Sequence, residues 1–193
     1  MPEKSALLVM DVQNGIVQSL GDKADDYLAK VTKAVEAARA DKMPVMFVIV
    51  RFRDGFPEMN PRNKMFARIA AENSGASMTA DSPATQPAIE PRKGELVIAK
   101  KRVSAFAGSD LEMILQAQNI KHLVLTGIAT SGVVLSTLRA SADKDYQITV
   151  LEDCCADSDQ AVHQVLTEKV FPRQAEVISS SDWITKLSGA KSA

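Results

Sequence analysis

Six short apolar runs recur along the chain: Ser5 to Val12, Pro44 to Phe52, Glu95 to Lys100, His122 to Gly127, Gln147 to Glu152 and Ala175 to Ile178. Most are continuous rather than alternating, the pattern of parallel strands covered on both faces. Between them, apolar residues fall at helical spacing. Leu28, Val31, Val35 and Ala38 share one stripe of a helix predicted over Asp25 to Asp41, and Leu111, Ile114 and Leu115 share another over Ser109 to Gln118. Ser131 to Asp143 and Ser158 to Val170 read as two further helices. Strands alternating with helices predict a three-layer α/β/α sandwich. The stretch from Arg53 to Arg92 breaks the rhythm, with one short helix around Lys64 to Glu72 and the rest rich in Gly, Pro, Ser and Asn. A loop of that length is usually functional or disordered; a lid or an oligomer contact is the preferred reading, a solvated excursion the alternative.

With 193 residues the chain fits a single domain, 1–193, long enough to bury a sizeable core. A formal net charge of −1 gives no electrostatic reason to expect nucleic acid or an anionic membrane as partner. No apolar run reaches the roughly 20 residues that cross a bilayer. The N-terminus lacks a signal-peptide layout, and the only two cysteines, Cys154 and Cys155, are adjacent and cannot staple distant segments. A cytoplasmic protein is expected.

Three places carry candidate chemistry. Asp11 closes an apolar strand, at the carboxyl edge where α/β sheets form their ligand crevices; the alternative is an ordinary turn or cap residue. Lys100 and Lys101 end the third strand, and alternation sends them to opposite faces, so one of the two can meet Asp11. A lysine there would hold the carboxylate ionised or exchange a proton with it, depending on burial. The turn from Thr126 to Val133 opens a helix whose unpaired N–H groups suit an oxyanion; a plain turn capped by Ser131 is the alternative. The chain has two histidines. His122 starts the fourth strand and His163 lies mid-helix, so both read as structural or solvated, and neither is expected to activate Thr130 or Ser131.

ALLVMDVQN, VIAKKRVSAF and LVLTGIATSGVVLSTLRAS, in this order, resemble the isochorismatase-like hydrolase family of the cysteine hydrolase superfamily. Its nicotinamidase and carbamoylase branches use an Asp-Lys-Cys triad. The likeness runs from Ser5 to about Ile178 and implies a six-stranded parallel sheet in the order 3-2-1-4-5-6. It implies catalytic roles for Asp11 and Lys100, the latter in register with the family's Lys followed by Ser-Ala-Phe. It implies a cis peptide at Ile128–Ala129, oxyanion donors at Ala129 and Val133, and substrate contacts at Gln13, Phe52, Arg53, Phe106 and Ile128. Counted from Gly127, Val133 stands where the nucleophilic Cys falls, so the catalytic cysteine is missing. Isochorismatases proper also lack it and hydrolyse a vinyl ether by acid catalysis from the aspartate.

The implied activity is therefore that of a small-molecule hydrolase acting without a covalent thiol intermediate, on a vinyl ether or related small carboxylate. One alternative is a C–N amide hydrolase with a relocated nucleophile such as Cys154 or Cys155. Another is a non-catalytic member that binds a metabolite. No cofactor and no metal are expected: VIVRFRDGFPEMNPRN contains no histidine, and Asp54 with Glu58 alone makes a poor transition-metal site. Arg51, Arg53, Arg62 and Asn63 would suit a carboxylate substrate or a neighbouring subunit. A homodimer or homotetramer is expected.

Overall fold

Each of the six apolar runs becomes a strand of one parallel sheet: β1 (Ser5–Met10), β2 (Val45–Val50), β3 (Leu96–Lys100), β4 (His122–Ile128), β5 (Gln147–Ala156) and β6 (Glu176–Ile178). The computed structural model describes residues 4–71 and 78–189. The strands lie in the order β3-β2-β1-β4-β5-β6, as the resemblance implied. The helices are α1 (Asn14–Val17), α2 (Ala24–Ala40), α3 (Lys64–Ala71), α4 (Leu111–Ala117), α5 (Leu135–Ala142), α6 (Gln160–Val165) and α7 (Ser180–Gly189). Glu72, the expected last residue of the third, lies outside the described residues.

Successive strand residues face opposite ways, and both faces are covered. Ala6, Leu8, Met10, Met46, Val48, Leu123 and Leu125 pack against Leu111 and Leu115 of α4 and Leu138 of α5. Leu7, Val9, Phe47 and Val124 pack against Val31, Val35 and Ala38 of α2 and Trp183 of α7. Burial on two faces is the reason the strands read as continuous apolar runs.

Three departures from the expected elements bear on the site. The helix predicted over 131–143 starts as a wide π turn, Thr130–Val134, in which Val134 N donates to Ala129 O at 3.3 Å, before α5 begins. β5 continues to Ala156, so Cys154 and Cys155 lie inside the strand rather than after it. The stretch 53–92 packs Phe56, Met59, Phe66 of α3, Ile69 and Met78 with Val50 and Phe52 into a small apolar cluster.

Candidate active site

β1 runs out at Met10, opposite Val48 on one side and Gly127 on the other. Asp11 N donates to Val48 O at 2.7 Å, and the chain then turns through a left-handed conformation at Asp11, φ 55°. Aspartate is among the few residues that tolerate this region. Gly127 permits the close approach alongside: its φ is 151°, and a Cβ there would lie 2.4 Å from Met10 O.

Lys100 ends β3, two strands away. Its Nζ reaches across β2 to within 2.9 Å of Asp11 Oδ2 and donates to Arg102 O at 2.9 Å. Lys101 goes the other way and donates to the Arg51 carbonyl oxygen. The pair is deep, with Asp11 6% and Lys100 2% exposed. Burial pushes the Asp11 carboxyl above its ordinary range, outweighing the charge and hydrogen bond of Lys100, which pull it down. Oδ1 of Asp11 is buried with no hydrogen-bond partner. A backbone hydrogen bond from Val50 adds a smaller downward pull, and the same Val50 N–H donates to Gln13 Oε1 at 2.8 Å.

The turn after β4 is braced from β5 and α6. The Ile128–Ala129 peptide is cis. Thr130 Oγ1 and His163 Nδ1 are 2.8 Å apart, and Ser131 N donates to Asp157 Oδ2 at 2.7 Å. Burial opposes ionisation of Asp157, but the bonds from Ser131 and from the Ser158 and Asp159 backbone hold its carboxyl below the ordinary range. The Thr130–His163 pair was missed in the sequence: the residues lie 33 positions apart, and only the packing of α6 on the turn joins them. Val133 is 2% exposed and belongs to the apolar cluster that includes Met10, Ala105, Val134 and Cys155.

The structure does not bring every expected substrate contact to Asp11. Gln13 is 2% exposed and its amide is committed to backbone: Nε2 donates to Val50 O (3.1 Å) and Thr85 O (2.9 Å), and Oε1 accepts from Val50 N. Phe52 is the centre of the small loop cluster, edge-on to Phe66 at 5.5 Å. Phe106 is drawn to Tyr146 instead, stacked at 6.1 Å with the Lys144 ammonium over its ring. The Arg53 side chain is 72% exposed and paired to Glu58, and with Arg51 and Lys101 it borders a separate cavity. Ile128 is buried beneath the turn among the residues packed on α2.

A cavity of about 210 Å³ lies nearby, lined by Gln13, Ile16, Val50, Ile69, Met78 and Thr85, with neither Asp11 nor Lys100 in its wall. Its walls are mostly apolar side chains. The two thiols are poorly placed for nucleophilic work. Burial, with the Asp153 charge beside it, pushes Cys154 up to about 12, and burial pushes Cys155 well above the usual thiol range. Among the described residues, no group of three or more His, Cys, Asp or Glu side chains could hold a metal ion. No helix among them is long and apolar enough to cross a membrane.

A parallel sheet in this order, carrying a buried Asp-Lys pair at its carboxyl edge beside a helix-opening turn, defines an α/β class with its candidate site at the strand ends. The isochorismatase domain profile matches residues 5–182. The chain belongs to the isochorismatase family and is an isochorismatase-like hydrolase. It is 28% identical to the isochorismatase family protein YwoC of Bacillus subtilis (strain 168), over 96% of this chain and 95% of that one. It is 32% identical to the ureidoacrylate amidohydrolase RutB of Variovorax paradoxus (strain S110), over 77% of this chain and 67% of that one. A cysteine hydrolase from Pseudomonas syringae pv. phaseolicola 1448A shares the fold, with a TM-score of 0.87 at 18% identity over 97% of this chain and 93% of that one.

Proposed function

We propose that this chain hydrolyses a small carboxylate-bearing substrate of the vinyl ether kind, without a covalent intermediate, with Asp11 as general acid and base and Lys100 as its partner. The observation that carries the reading is Asp11 itself: one carboxylate oxygen held 2.9 Å from Lys100, the other buried and unpartnered, with burial raising the carboxyl above its ordinary range. Asp11 gives its proton to the enol-ether carbon, the resulting oxocarbenium carbon takes up water, and the carboxylate receives the proton that the water sheds. The hemiketal then collapses to a carbonyl compound and an alcohol. No thiol takes part, consistent with Val133 at the position where the family's triad branches carry their nucleophile. Lys100 offsets the carboxylate charge at each turnover, and the apolar cavity beside Gln13 and Val50 suits a small substrate with a hydrocarbon portion.

Screening the purified protein against vinyl ethers, amides and ureido acids, with Asp11→Ala as the blank, tests this. Hydrolysis of a vinyl ether that disappears in the blank is the expected result. Turnover confined to amides or ureido acids would replace the reading with C–N hydrolysis, which the similarity to a ureidoacrylate amidohydrolase favours. The same reading includes a cytoplasmic homodimer or homotetramer. Leu96 and Val97 on the open edge strand β3 are exposed apolar side chains that such an assembly could cover, and light scattering measures its mass.

A further inference from the structure

The turn that follows β3 is pinned from two sides. From α5, Thr137 Oγ1 accepts the Ala105 N–H at 2.9 Å. On the other side the Arg102 side chain grips the stretch 53–92. Its Nη2 donates to the Glu58 carbonyl oxygen at 2.9 Å, and its guanidinium carbon lies 5.8 Å from the centre of the Phe66 ring, within cation–π range. Nη1 folds back on the Lys101 carbonyl oxygen at 2.6 Å, so the guanidinium holds its own turn as well as the loop. The main chain of the same residue faces the catalytic pair. Its carbonyl oxygen accepts from the Lys100 ammonium at 2.9 Å, the same distance that separates Lys100 Nζ from Asp11 Oδ2. Lys100 is 2% exposed, and a buried ammonium depends on whatever acceptors reach it; among the described residues these are the Arg102 carbonyl and Asp11.

We propose that Arg102 is a positioning residue that couples the docking of segment 58–66 to the placement of Lys100 against Asp11. With its guanidinium seated on Glu58 and Phe66, the Arg102 carbonyl is fixed where it takes one Lys100 donor and leaves the ammonium beside Asp11. Without that seat the turn keeps its tie to α5 at Ala105 but loses its tie to the loop, and the carbonyl that anchors Lys100 can shift. Phe66 packs in the small apolar cluster with Val50, Phe52, Met59 and Ile69, so the packing of the loop reaches the pair through one side chain. An arginine that only stabilised the loop would leave the pair as it is. The inference deepens the reading of Asp11 and Lys100 as the working pair and rests on it for its purpose, but the coupling itself is measurable without a substrate.

The test is an NMR titration of the Asp11 side-chain carboxyl carbon, assigned by its absence in Asp11→Asn, in the intact chain and three variants. Arg102→Met keeps the aliphatic stem and removes the guanidinium. Arg102→Lys keeps a cation and a donor. Phe66→Leu removes the ring under the guanidinium and leaves Arg102 in place. None of them alters Asp11, Lys100 or the buried Tyr27 phenol, so a moved midpoint reports on how Lys100 is held. Lys100 pulls the Asp11 carboxyl down, and a loosened Lys100 therefore raises its midpoint. The expected rise is about one pH unit in Arg102→Met and about half of that in Arg102→Lys and Phe66→Leu. Adding Phe66→Leu to Arg102→Met should raise it no further, because the loop then has no route to the pair. An unmoved midpoint in Arg102→Met, or rises that add in the double variant, overturns the proposal. Should Arg102→Met not fold, Phe66→Leu decides: a raised midpoint is expected, and an unchanged one overturns the coupling. Failure of the vinyl ether screen leaves each of these readouts intact.

Discussion

Replacing Lys100 with methionine removes the cation from a pair whose side chains are 2% and 9% exposed and 2.9 Å apart. Breaking a buried pair by deleting one partner costs about 3–5 kcal/mol, because the remaining charge is uncompensated. Asp11 can escape that cost by taking up a proton, which makes the loss depend on pH. Its carboxyl is already raised by burial against the opposing pull of Lys100, and the substitution deletes the larger part of that pull. A group whose folded value lies above its unfolded value contributes stability in full below the unfolded value, and that contribution is lost as pH rises toward the folded value. Lys100→Met should therefore match the parent protein most closely near the ordinary carboxylate range and fall behind by up to about 1.4 kcal/mol per pH unit above it. Urea unfolding read by the fluorescence of Trp183, the one tryptophan and a buried one, gives the comparison between about pH 4 and pH 8. At the upper end a deficit of about 3 kcal/mol is expected, and adding Asp11→Asn should restore most of it, since no charge then remains unpaired. A deficit independent of pH, or a double variant as unstable as the sum of the two singles, would refute this account of the pair.

Asp11→Asn should lower turnover of any substrate found by roughly 10²–10⁴-fold, because the amide keeps the shape but carries no exchangeable acid proton; a smaller loss in a steady-state assay would move the acid elsewhere. Iodoacetamide and chelators should leave activity in place, given a Cys154 pushed to about 12 and a Cys155 pushed well above the usual thiol range; inactivation that tracks one alkylated cysteine and is prevented by substrate would establish a thiol nucleophile. Gly127→Ala should destabilise by about 2–4 kcal/mol in the same urea assay, since the new Cβ has no room against Met10 O; an unchanged midpoint would show that β4 can shift away from β1 at the site.

The sheet was legible because strands buried on two faces have no alternative to continuous apolar sequence, as in Leu7 to Met10 and Val45 to Val50. Its strand order was not, since which runs become neighbours depends on contacts far apart in sequence; the resemblance supplied it. The choice of Lys100 over Lys101 was open to reading because strand alternation and motif register agreed. Where the expected substrate-contact residues end up was not legible locally. Phe106 sits near Lys100 in sequence, yet no local pattern shows that Tyr146, 40 residues on, will stack with it. Gln13 likewise follows Asp11 by two positions and points its amide into three backbone bonds that only the meeting of β2 with the loop at Thr85 creates.

A buried carboxyl beside a lysine can serve two kinds of hydrolysis, and the two make opposite demands on it. In a thiol route the carboxylate must be ionised at rest, to take the proton of the incoming nucleophile, and a strong lysine contact with further donors suits that need. In an acid-catalysed route it must hold a proton at rest, which requires that burial outweigh the cation and that surplus donors be kept away. Two features of Asp11 bear on the choice: burial raises its carboxyl against the pull of Lys100, and Oδ1 has no hydrogen-bond partner. Lys100 moderates the shift without cancelling it, dividing its donors between Oδ2 and the Arg102 carbonyl. A carboxyl raised by burial with one oxygen unpartnered is what supports the proposed acid-catalysed route over a thiol route.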